Sequence, residues 1–141
     1  APLAAYDAQV RQGVPRHPPP GHSYERRGTV LRVAGRQRGF IETAKDLGAR
    51  GAELDALIAE HRDFFARRGE AVEWKTRAYD EPADLIAHLE LAGFVAEPRE
   101  TAVIALTQEL AAEPALPDGV RLRRVHERAK PDRVAAMEAA V

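Results

Sequence analysis

Between Gly51 and Arg68 apolar residues return every three or four positions, at Leu54, Leu57, Ile58, Phe64 and Phe65. This spacing predicts an amphipathic helix, with Gly69 placed for a left-handed C-terminal cap and Asp46 or Glu53 for the positive end. His61 falls on the same stripe and reads as a satisfied histidine at the core edge. Upstream the period changes. Thr29, Leu31 and Val33 alternate, with punctuation at Gly28 and from Gly35 to Gly39, so residues 23–44 predict an antiparallel meander. Before it, Leu3, Tyr6 and Val10 sit at helical spacing within residues 2–12. Gly13, Pro15 and Pro18-Pro19-Pro20-Gly21 then end any helix and form a stiff connector.

Downstream of Gly69 the alternation of residues 71–76 predicts a strand. Asp80 as cap and Pro82 in a first turn predict a second helix, with Leu85, Ile86 and Leu89 on one side, and Gly93 ends it before an extended stretch from Phe94. The run "TAVIALT" at 101–107 is apolar and β-prone throughout, which predicts a strand buried on both faces. Two prolines and mixed charge make 108–118 a linker. A strand at 119–125 and a helix at 131–141, with Val134, Met137 and Val141 on one face, complete the series. The fold class expected is α+β, a mixed and mostly antiparallel sheet with helices packed on it. Residues 1–107 form its main domain.

Composition narrows the chemistry. At 141 residues and 45% hydrophobic content the chain can bury one modest core. Its 21 basic and 22 acidic residues give a net charge of −1, with no overall pull toward nucleic acid or an anionic membrane. The front is basic, since residues 1–50 carry nine Lys/Arg against four Asp/Glu. Eighteen basic residues are Arg and Ala is abundant, a bias that codon usage can produce without selection for binding. With no cysteine there is no disulfide, thiol nucleophile or Cys-ligated metal, which fits a reducing compartment. The expected location is the cytoplasm. No apolar run approaches the ~20 residues of a membrane span.

Complete catalytic constellations are missing from the sequence. Ser23 is the sole serine and lies in a loop without a nucleophile-elbow pattern. His17, His22, His88 and His126 lack the paired spacing of a zinc site, so no metal is expected. Glu70, Glu73, Asp80 and Glu81 crowd one strand and its exit, where paired carboxylates do acid–base work if burial raises one pKa, but helix caps and solvated charges are the plainer reading. Trp74 lies between Glu73 and Lys75, so a strand points it away from both, against a helix, a partner or a substrate, with Tyr79 nearby. Arg26, Arg27, Arg32, Arg36 and Arg38, with Tyr24 and Phe40, make the best case for nucleic acid, against which the Arg bias and the acidic remainder weigh.

The order of meander, long helix, strand, short helix, "AGF" and strand, with "EWKT" and "GFVAEPRET" between residues 70 and 101, resembles the amino-terminal half of two-part bacterial members of the GNAT family of acetyl-CoA-dependent N-acetyltransferases. The resemblance implies a degenerate first half, with "LPDGVRLRRVHERAKPDRVAAME" as the first strand and helix of a second. It also implies a cofactor turn, Gln/Arg-x-x-Gly-x-Gly/Ala, at the start of the long helix, where backbone N–H groups hold a pyrophosphate. The corresponding stretch is "KDLGARGAEL", residues 45–54. Neither register satisfies it: with Gly48 as the first glycine the stretch reads Lys45-x-x-Gly48-x-Arg50, with Arg50 where close approach demands a small residue; with Gly51 as the second, Ala49 takes the first glycine's place and Asp46 brings negative charge where Gln or Arg belongs.

These readings combine into one expectation. The chain is the non-catalytic amino-terminal part of an N-acetyltransferase, a transferase that moves acetyl from acetyl-CoA to an amine. Residues 1–107 form a degenerate domain, 108–118 a linker, and 119–141 the start of a following domain. No catalytic residue and no cofactor are expected for the segment itself, although the parent uses acetyl-CoA. Trp74, Tyr79 and Glu73 are the candidates for a substrate cleft or an interface. Partners are the following domain or a second copy, as in a homodimer, rather than nucleic acid or a membrane. The alternative is a non-enzymatic α+β interaction or dimerisation module.

Overall fold

The computed structural model describes residues 2–35, 38–111 and 115–121. Contacts divide the chain between Ala105 and Leu106. In the first unit, helix α1 (Pro2–Gln9) is followed by strands β1 (Ser23–Arg27), β2 (Val30–Ala34) and β3 (Arg38–Thr43). Helix α2 (Ala52–Arg67), strand β4 (Ala71–Trp74) and helix α3 (Leu85–Leu91) complete it. The strands lie in chain order in one sheet, antiparallel from β1 to β3 and parallel between β3 and β4. The α+β expectation holds, with a mixed sheet and three helices.

Register places the core. Arg32 pairs with Ile41 and Ile41 with Trp74, so these three side chains form one row across β2, β3 and β4. Helix α2 lies over this face, burying Leu54, Ile58, His61 and Phe65 against it. Every element of β2 is buried, which the alternation of Leu31 and Val33 with their neighbours only half announced. Gly39 is small because Phe65 lies on it: a Cβ there would stand 2.3 Å from Phe65 Cε1. Helix α2 ends as the sequence predicts, with Gly69 at a φ of 62°.

Expectations at several places are corrected. Helix α3 starts at Leu85 rather than near Pro82, and Asp80 does not cap it, because its carboxylate is engaged by Arg11 and by the Arg77 N–H. Leu85 and Leu89 are buried, whereas Ile86, a hundred degrees around the helix, is exposed. The run at 101–107 is not a buried strand. Residues 101–106 are not in a strand, Val103 is 89% exposed, and a short helix α4 (Thr107–Leu110) begins where the strand was expected to end. An apolar run becomes a buried strand only beside a neighbour that satisfies its backbone, and none of the described strands lies there.

The second unit contributes α4 and a turn, in which the Val120 N–H donates to Pro117 O at 3.0 Å and Gly119 has a φ of 80°. Gly119 to Arg121 are therefore not strand. The rest of the strand expected at 119–125 and the helix expected at 131–141 lie outside the described residues, as does Arg36.

Candidate functional site

Two places answer to the sequence expectations, and one was not foreseen. The first is the turn between β3 and α2. The Gly48 N–H donates to Asp46 Oδ1 at 2.8 Å, and Arg50 reaches the same oxygen at 2.9 Å. The Gly48 amide, and then Arg50, hold the Asp46 carboxyl below its ordinary range. Gly48 and Gly51 have φ of 73° and 51°, and a Cβ at either would meet nothing within 4 Å. Backbone conformation, and not close approach of another group, is what demands glycine at both. The Lys45 carbonyl accepts from the Glu81 N–H at 2.8 Å, so Lys45 ties the turn to the far end of the β4 exit.

The second place holds Trp74, Glu73 and Tyr79, which the structure does not bring together. Trp74 packs edge-on against His61 and Phe94, with ring centroids 6.1 and 6.0 Å apart, in the core beneath α2. Glu73, one residue earlier, faces the other way and pairs with Lys75 and, at 3.7 Å, with Arg38. Tyr79 lies beyond the strand, where its hydroxyl donates to Asp7 Oδ1 at 2.9 Å. Burial, and then the Asp7 carboxylate, raise the Tyr79 pKa. His61 is deeper than expected and not fully satisfied, since its Nδ1 is buried without a partner, as are Arg32 Nε and Trp74 Nε1.

The unforeseen place is a gap in the sheet. Pairing of β3 with the β4 chain ends where the Lys75 N–H reaches Ile41 O, and resumes only at Asp46 and Glu81. Between these points residues 42–44 and 76–80 part, and the Arg11 guanidinium fills the opening. Its Nε donates to Thr43 O at 2.6 Å. Its Nη2 donates to Ala44 O at 3.2 Å, to Thr43 Oγ1 at 3.4 Å and to Asp80 Oδ1, while Nη1 lies 3.4 Å from Asp7 Oδ1. The Arg11 side chain is 1% exposed and that of Asp80 3%. Beside them Arg77 forks onto both Glu42 oxygens at 2.6 and 3.1 Å and donates to Tyr6 Oη at 2.7 Å. Although burial opposes it, the Glu42 pairing and the Tyr6 hydroxyl raise the Arg77 pKa.

Sequence reasoning missed Arg11, Thr43, Glu42 and Arg77. The one available signal was the i, i+4 spacing of Asp7 and Arg11 at the end of a predicted helix. The arginine strip, by contrast, is largely spent on neighbours. Arg26 donates to Gln12, Arg27 pairs with Glu25, Arg38 pairs with Glu97, and Arg32 is buried with its guanidinium 3.9 Å above the Phe64 ring. Among the described residues no group of three or more His, Asp or Glu is placed to hold a metal ion, and no helix is long and apolar enough to cross a membrane. Compared with family models, with curated proteins and with solved structures, the chain matches none.

Proposed function

We infer that this chain is the non-catalytic amino-terminal half of a GNAT-type N-acetyltransferase, a structural half that packs beside a working one. The element order supports the reading: an antiparallel meander, a long helix, a parallel strand and a short helix. The observation that carries it is the sealed gap. Where β3 and the β4 chain part, the Thr43 and Ala44 carbonyls already accept from Arg11. The turn before α2 is closed in the same manner, since the Asp46 carboxylate occupies the Gly48 N–H that a phosphate would need. Both contacts speak against acetyl-CoA at this place, and the reading assigns acetyl transfer to the other half of a parent protein.

Titration calorimetry with acetyl-CoA tests this directly. The expected result is no saturable heat from this chain. Saturable binding that is lost on replacing Gly48 with a bulky residue would sink the reading.

The second reading, a non-enzymatic module that binds a second copy, is favoured by a different observation. Leu91, Val95 and Val103 are 85, 88 and 89% exposed. Light scattering across a concentration series decides it: a mass that stays at one chain removes the homodimer.

A further inference from the structure

The groups around Arg11 have the chemistry of a receptor site. A guanidinium is recognised by in-plane acceptors, a carboxylate and an aromatic face. All three are present: the Thr43 and Ala44 carbonyls, the Asp80 carboxylate, and the Tyr79 ring with its centroid 5.7 Å from Arg11 Cζ.

These groups are held without help from the arginine they bind. Thr43 sits in β3, paired with Val30. Asp80 is fixed by its own turn, in which Arg77 N–H donates to Asp80 Oδ2 at 2.9 Å and Asp80 N–H donates to Arg77 O at 3.0 Å. The occupant is held differently. Arg11 follows α1, a helix that buries no residue of its own. The segment is fastened at three residues: Tyr6 accepts from Arg77 and lies with its ring 5.6 Å from that guanidinium, Asp7 accepts from Tyr79, and Gln12 donates to Thr29 O and accepts from Arg26.

The geometry points to a guanidinium-binding cradle, formed by Thr43, Ala44, Tyr79 and Asp80 and filled in cis by Arg11, which an external guanidinium-bearing group takes over when the N-terminal strap leaves. The ligand class is a small guanidine or the arginine side chain of a peptide. Asp7 departs with the strap, so the incoming cation meets one carboxylate, that of Asp80. This assignment shares the Arg11 contacts with the acetyltransferase reading but requires neither a second half nor a nucleotide, and its guanidinium test is read without acetyl-CoA, so either can fail alone.

Removing the occupant tests the cradle. In the full chain, Arg11→Ala leaves the buried Asp80 carboxylate without its cation and the Thr43 and Ala44 carbonyls without this donor, and the melting temperature falls. Methylguanidinium in the millimolar range is expected to raise it again, saturably, while leaving the unsubstituted chain unmoved, as follows when a ligand binds only the folded state with an empty site. Methylammonium, a point charge without the fork, is expected to restore less. Adding Asp80→Asn to Arg11→Ala is expected to abolish the rescue. Should Arg11→Ala not fold alone, circular dichroism with and without methylguanidinium replaces the melt, and recovery of the native spectrum supports the cradle. Equal shifts in the substituted and unsubstituted chains, rescue that survives Asp80→Asn, or no recovery at all overturns it. Agmatine against a capped arginine tripeptide separates the two sources, the tighter binder naming the natural class.

Discussion

At the scale of single residues the molecule is governed by where nitrogen is buried. His61 is 2% exposed, at the row of Arg32, Ile41 and Trp74, and its pKa is lowered by burial first and then by the Arg32 charge, with Glu60 and Glu25 opposing. The unfolded chain takes up the His61 proton near the ordinary value of 6.5, while the folded chain takes it only at lower pH. Below that value the unfolded state holds more protons, so this contribution is complete above it and is lost as pH falls. His88 behaves oppositely. Bonded to Asp55 at 2.6 Å and 3.4 Å from Asp84, it has a raised pKa, so its contribution is present at lower pH and is lost as pH rises through the folded value. Urea midpoints at about pH 5 and about pH 8 are expected to separate the two. His61→Leu flattens the acid decline, and His88→Asn flattens the fall on the alkaline side. Trp74, the sole tryptophan, reports both transitions by fluorescence. Periodicity placed His61 on the core stripe, but a pattern of types carries no depth, and neither its orphaned Nδ1 nor its proximity to Arg32 is written in the spacing. Arg11 illustrates the same limit: an arginine near a helix end reads as solvated until the fold puts carbonyls around it.

Element boundaries follow the strength of their local signals. Helix α2 was legible nearly to the residue because sixteen positions repeat one stripe and a glycine ends it. The meander was legible because Gly28 must turn with a φ of 58° and the flanking residues alternate. Helix α3 was misjudged at its start because Asp80-x-Pro82 has the chemistry of a cap, while a tertiary partner, Arg11, claims the carboxylate first. A seven-residue helix offers too few turns to correct such an error. The revised register makes a contrast that stability measurements detect. Leu89→Ala removes a side chain packed in the core and is expected to cost about 2–5 kcal/mol. Ile86→Ala, on the exposed face, is expected to stay within about 0.5 kcal/mol of the unsubstituted chain. Equal losses at the two positions would return Ile86 to the buried side.

For the whole molecule the decisive comparison is between the run at 30–34 and that at 101–105, two apolar β-prone stretches with opposite fates. Residues 30–34 lie between β1 and β3: all five pair across to β1, and Val30 to Val33 pair across to β3 as well. Residues 101–105 have the composition of a central strand but lie in none of the described strands, and Val103 stands 89% exposed. Composition states what a segment can bury, whereas topology decides whether anything is there to bury it against. Nothing in the sequence distinguishes the two cases, because the missing term is the neighbour. Amide hydrogen exchange reads the difference residue by residue. Leu31 to Val33 and Phe40 to Ile41 are expected to exchange only through global opening, and the amides of 101–105 close to their intrinsic rates. Repeating the measurement across protein concentration adds the interface question. Protection that appears in 101–105 only as concentration rises shows a second copy supplying the neighbour, and protection at every concentration shows that the chain already pairs this run within itself.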